Sequence, residues 1–116
     1  MIQPEELRLG NYVLSKETQQ PQRITGITTE NPFIDAITFD YTDYEDIDPI
    51  PVTEEILLKC GFEKKDAFWF TKDIIKIETT LSRGRFKYAG FVSVKHLHQL
   101  QNLYFALTGQ ELEINL

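Results

Sequence analysis

VKHLHQLQNLYFALTGQEL, residues Val94 to Leu112, decides how this chain folds. Laid out at about 100° per residue, Leu97, Leu100, Leu103, Tyr104 and Leu107 share one arc of roughly 120°. Lys95, Gln99, Asn102 and Ala106 lie behind it. A stripe of that kind is a core-facing element, and Gly109 stands where a left-handed residue ends a helix. Beyond it, Glu111-Leu112-Glu113-Ile114-Asn115-Leu116 alternates with period two, which predicts a closing strand. Phe105 falls outside the stripe, on the flank that carries His98 and Gln101. Packing within the helix leaves this flank unexplained, so either the closing strand covers Phe105 or the three residues mark a partner surface.

Working outward, the residues before this helix change period. Phe68-Trp69-Phe70, Ile74 to Glu78 and Phe86-Lys87-Tyr88 are rich in β formers, with turn signals at Lys72-Asp73 and Ser82-Arg83-Gly84. They predict a meander whose Ile75 and Ile77 face inward, opposite Lys76 and Glu78. Further upstream, Thr53 is placed to cap a short helix, with Glu54 and Glu55 in its first turn and Gly61 after its end. Ile56, Leu57 and Cys60 give that helix one apolar face. Asp48-Pro49-Ile50-Pro51 forbids helix and reads as an extended linker.

Ahead of the linker, Pro4-Glu5-Glu6 suits one helical turn, which Gly10-Asn11 ends. Tyr12 to Leu14, Arg23 to Thr28 and Phe33 to Phe39 read as three short strands, separated by turns at Gln19–Gln22 and Asn31-Pro32. The expected class is therefore α+β. A small N-terminal curled antiparallel sheet over residues 7–48, SH3-like if it closes, precedes a short helix, a meander, an amphipathic helix and a closing strand over 49–116.

A length of 116 residues suits one domain, 1–116, with a single core. Apolar residues at 41% exclude the composition of a disordered chain. MIQPEELRLGN lacks the features of a secretory leader, and no apolar run approaches a membrane span, so a cytoplasmic location without membrane association is expected. The lone Cys60 has no disulfide partner and is expected as a buried apolar residue. The net charge of −6 is unevenly distributed. Residues 1–60 carry four bases against twelve acids, a balance of −8, and residues 61–116 carry eight bases against six acids, a balance of +2. Such polarity steers charged partners, although it also describes an ordinary solvated surface.

Three patterns invite chemistry. His96 and His98 would share a face on a strand, but two positions on a helix are about 200° apart, so no metal site is expected. Asp40, Asp43, Glu45, Asp46 and Asp48, interleaved with Tyr41 and Tyr44, place Ile47 and Asp48 where a calcium loop needs a ligand and a glycine. A solvated acidic loop explains them, and so does a mimic of a nucleic-acid strand that engages a basic partner. Arg83, Arg85 and Lys87 alternate with Phe86 and Tyr88, which sets bases outward and aromatics inward. As nucleic-acid contacts they lack an aromatic on their own face. The chain has neither a Gly-rich phosphate loop nor a nucleophile motif, so no enzyme and no cofactor is expected.

Three blocks, ELRLGNYV (Glu6–Val13), PIPVTEEILLKCGF (Pro49–Phe62) and VKHLHQLQNLYFALTGQEL (Val94–Leu112), resemble a family of short proteins from Bacteroides-type phages, prophages and mobile elements. The resemblance implies a bacterial or phage origin and a single domain. It carries over no activity and no catalytic residue. In that setting a non-enzymatic protein-interaction module leads, with a protein partner whose identity and stoichiometry the sequence leaves open. A nucleic-acid-associated accessory protein is the alternative, and a structural component without a separate ligand is the third reading.

Overall fold

The computed structural model describes residues 2–27, 32–34, 44–80, 85–89 and 92–116. The α+β class holds: two antiparallel sheets are joined through two helices. The first sheet comprises β1 (Tyr12–Ser15), β2 (Pro21–Ile27), β3 (Pro32–Ile34) and β4 (Ile47–Asp48), in the order β3-β2-β1-β4. The fourth strand returns to lie beside the first, which is the Greek-key arrangement. Closing this sheet into a barrel would need β3 to pair with β4. Among the described residues each of those strands has one neighbour. The strand expected over Phe33–Phe39 is described only for its first part, and residues 35–39 lie outside the described residues. Asp48, expected in a loop, belongs to β4 and pairs with Leu14.

The second sheet is a meander of five strands in chain order. These are β5 (Glu63–Lys64), β6 (Trp69–Lys72), β7 (Ile75–Thr80), β8 (Arg85–Tyr88) and β9 (Val92–Ser93). One of its faces is covered by α1 (Glu54–Lys59) and α2 (Leu97–Thr108). Between them lies a core containing Leu57, Cys60, Phe70, Ile75, Ile77, Phe86, Leu97, Leu100 and Tyr104. Helix α1 starts as its sequence directs: the Thr53 hydroxyl accepts from the Ile56 amide at 3.1 Å. It ends at Gly61, whose φ of 87° is a conformation that glycine adopts at low cost. Helix α2 ends in the same way at Gly109, with φ of 73°.

The leucine stripe enters this core as expected over Leu97, Leu100 and Tyr104, but Leu107 is exposed. The Tyr104 hydroxyl donates to Asp73 Oδ2 at 2.6 Å, at the β6–β7 turn. That turn is the end of the sheet, so the last turn of α2 runs past the surface it would cover. The tail over 111–116 is not a strand. Leu112 is buried and Ile114 half-buried, as the alternation requires. The ladder is missing because this tail meets the end of α1 rather than a sheet edge, with Asn115 N–H donating to Lys59 O at 3.0 Å.

A second, smaller core lies under the first sheet, made of Ile2, Leu7, Val13, Ile24, Tyr44 and Ile47. Strand β1 serves both cores. Val13 points into the small one, and its neighbours Tyr12 and Leu14 pack against the large one, as strand alternation allows. No helix among the described residues is long and apolar enough to cross a membrane.

These positions predict a contrast within one helix. Leu100→Ala should destabilise the protein by about 2–5 kcal/mol through the cavity it leaves, whereas Leu107→Ala should change stability by less than about 0.5 kcal/mol. Urea unfolding of the two variants measures both. Equal losses would show that α2 does not pack in this register.

Candidate functional site

The flank of α2 that packing within the helix left unexplained is covered by the chain's own N-terminal segment. The Gln101 side chain is buried and makes two hydrogen bonds to backbone. Its Oε1 accepts from Tyr12 N–H at 2.8 Å, and its Nε2 donates to Gly10 O at 3.0 Å. Beside it, Asn102 Oδ1 accepts from the buried Asn11 amide at 2.9 Å and from Arg8 Nη1 at 3.1 Å, while Asn102 Nδ2 donates to Glu6 O at 2.8 Å. Arg8 also pairs with Glu111 and lies over the Phe105 ring, 4.0 Å from its centroid. His98 and Gln101 are therefore not a partner surface. Unpaired backbone groups of residues 10 and 12 would be costly beside the helix, and Gln101 satisfies them. Phe105 remains 39% exposed, covered on one face by a guanidinium rather than by a closing strand.

The two histidines belong to this junction. His96 precedes α2 in extended conformation, so its ring stacks on His98 with centroids 5.7 Å apart instead of diverging as helical residues would. His98 is fully buried, and its Nε2 lies 3.3 Å from Glu6 Oε1. A carboxylate only accepts, so Nε2 carries the proton, and Nδ1 is left without a partner. Burial lowers the His98 pKa below its ordinary 6.5 against the opposing pull of Glu6. His96 is lowered as well, by burial and by its neighbour His98. Glu6 is held below 4.5, first by the Gln3 amide and then by His98. Among the described residues, no three His, Cys, Asp or Glu side chains are placed to hold a metal ion. Cys60 is buried, which pushes its thiol up to about 12 and removes the thiolate a nucleophile needs.

Of the acidic segment, the described residues include Glu45, Asp46 and Asp48. Asp40 and Asp43 lie outside the described residues. Glu45 and Asp46 are exposed on a single 3-10 turn, whose first residue, Tyr44, is buried. Asp48 faces Lys16, 3.7 Å away. A mimic built of alternating tyrosines and carboxylates loses one of its aromatics to the small core.

The outer face of the five-stranded sheet is different. Helices cover only its inner side, so alternation turns Trp69, Thr71, Lys76, Glu78, Arg85, Lys87 and Ser93 outward. Cross-strand register aligns Trp69, Glu78, Lys87 and Ser93 in one row. Arg83 lies outside the described residues. Phe86 is buried and Tyr88 half-buried against the core, as their alternation with the bases predicts. Lys95, assigned by sequence to the back of the helix, stands in the extended segment before α2, and with Arg85 and Ser93 it lines a shallow cleft. Lys76, Arg85, Lys87 and Lys95 make no ion pair among the described residues, whereas Lys16, Lys59, Lys64 and Lys65 each have a carboxylate partner.

The aromatic that the basic strand lacked is Trp69, which is 37% exposed. Its signal was present in the sequence. Once Phe70 is inward, a two-residue period sends Trp69 outward, two strands from Lys87. Trp69 lines a second cleft with Lys65, Asp66, Thr71 and Lys76. No family model, curated protein or solved structure matches the chain.

The junction predicts a pH dependence whose sign follows from the histidines. In the unfolded chain they take up protons near 6.5, and in the folded chain burial resists this. Their contribution to stability is present above pH 6.5 and is lost as the pH falls toward the folded value; Glu6 adds a further loss below 4.5. The thermal midpoint should fall between pH 7 and 5, and less steeply in His98→Gln. Parallel curves for the two proteins would exclude His98 as a source. Independently, Gln101→Ala should cost about 1–3 kcal/mol and speed amide exchange at Tyr12, because the Tyr12 N–H loses its acceptor. Exchange unchanged at Tyr12 would refute that role.

Proposed function

We propose that this chain is a non-enzymatic, cytoplasmic accessory protein that binds nucleic acid along the outer face of its five-stranded sheet. The observation that carries this reading is a set of four cations without carboxylate partners among the described residues: Lys76, Arg85 and Lys87 on the outer sheet face with an exposed tryptophan, and Lys95 beside them on the cleft with Arg85. Unpaired bases that share a surface release counterions when they meet phosphates, which is the main sequence-independent source of affinity for a nucleic acid. Glu78 sits among them and weakens the field. Glu63 is occupied by Lys65 at 2.8 Å. The resemblance to short phage and mobile-element proteins fits an accessory role of this kind.

A second reading keeps the protein-interaction module. It rests on Glu45 and Asp46, exposed beside the edge strand β4, where a basic partner would meet them. The sheet face is the stronger candidate because its charges are more numerous and lie beside an aromatic.

Neutralising Lys76, Arg85, Lys87 and Lys95 together to Gln should abolish binding of a labelled oligonucleotide in fluorescence anisotropy. For the unaltered protein, log affinity against log salt should fall with a slope of roughly −3 for single strands, since each contacted phosphate contributes about −0.7. Binding that ignores both salt and the four substitutions would overturn the proposal. Loss of partner binding on Glu45→Lys with Asp46→Lys, and not on the sheet variant, would favour the second reading.

A further inference from the structure

We infer that Trp69 is the stacking platform of a single-strand site, with the Arg85–Ser93–Lys95 cleft as its phosphate seat. The inference rests on the nucleic-acid reading above and names the form of the ligand. Trp69 is held as a platform must be, because both sides of its backbone are fixed. Asp66 Oδ1 accepts from the Phe68 and Trp69 amides at 2.8 and 3.1 Å, and Trp69 O accepts from Lys65 N–H at 2.8 Å. On the other side, Phe68 O accepts from Thr79 N–H at 2.8 Å. The indole therefore projects from a backbone that costs little further ordering when a ligand arrives.

Its surroundings suit an unstacked base. Lys76 flanks the indole in one cleft, together with Asp66 and with Lys65, which is paired to Glu63, so a base laid on the ring brings its phosphates toward the Lys76 ammonium. From there Lys87 lies two strands across the sheet, and Ser93, on the rim of the second cleft, lies three strands across. At about 4.8 Å per strand the two clefts are roughly 14 Å apart, a span for a short extended strand. The second cleft is lined by Arg85, Ser93 and Lys95 together with Pro51, Val52, Phe86 and Val94. A guanidinium and an ammonium beside a hydroxyl make a good seat for a phosphate. A duplex has no free base face to offer Trp69, so stacking selects the single strand.

Trp69 is the chain's single tryptophan, and intrinsic fluorescence reports on it alone. The probes are a short oligo-dT, the same strand in a duplex, and inorganic polyphosphate, each titrated at low salt. Oligo-dT should quench the fluorescence in a saturable way, and polyphosphate should not, although it meets the same cations. Read by titration calorimetry, since the variants lack the fluorophore, Trp69→Ala should weaken oligo-dT roughly tenfold to a hundredfold and leave polyphosphate unchanged. Trp69→Phe should recover part of the loss, which separates stacking from a folding defect. Undiminished oligo-dT affinity in Trp69→Ala, or tighter binding of the duplex than of the single strand, would overturn the inference while the nucleic-acid reading stands. Failure of both oligonucleotides to bind the unaltered protein would remove that reading as well.

Discussion

Gln101 holds the two halves of the molecule together, and it does so with a side chain that acts as backbone. An amide side chain offers one donor and one acceptor, which is what an adjacent strand would offer to residues 10 and 12. With its oxygen on Tyr12 N–H and its nitrogen on Gly10 O, helix α2 completes the hydrogen bonding at the start of β1 on the edge away from β2. Strand β1 is then free to use both faces, Val13 for the small core and Tyr12 and Leu14 for the large one. Each sheet alone has one covered side. A helix whose two flanks face different sheets supplies both covers at once.

The cost of this arrangement is a buried polar layer. Asn11, Gln101 and His98 sit at the junction with almost no exposure, and every side-chain polar atom there is partnered except His98 Nδ1. A satisfied network of this kind fixes one relative position of two apolar cores that would otherwise slide, since apolar contacts alone are non-directional. Arg8 extends the same logic outward: its guanidinium reaches Asn102, Glu111 and the Phe105 ring, and joins the N-terminal segment, the helix and the tail.

Apolar periodicity made the elements legible, and polar pairing across long sequence separations hid their assembly. Leu97, Leu100 and Tyr104, the Thr53 cap, the Gly61 and Gly109 terminators and the inward Ile75 and Ile77 all follow from local rules, and all stand in the structure as read. The two-residue strands β4, β5 and β9 carry too few residues to show a period, so only their partners reveal them. His98 and Gln101 stood out because no rule within α2 buries them. The burial comes from Glu6, Gly10 and Tyr12, some ninety residues away in sequence. The inference that something covers the flank was sound, but a sequence cannot distinguish a partner from a distant part of itself. On the sheet, the outward bases were legible from alternation. The unpaired state of Lys76 and Lys95, which makes them candidates, was not.

The charge of the protein is divided along the chain. A net charge of −6 would repel a polyanion if it were spread evenly, but the first sixty residues carry a balance of −8 and the rest carry +2. The N-terminal sheet docks on α2, and α2 lies on the inner side of the second sheet. A helix layer and a sheet layer, each roughly 10 Å thick, thus stand between the two surfaces. The Gln101 bridge therefore does more than stabilise the fold. It fixes the N-terminal segment against the helix, on the side away from the outer face of the second sheet.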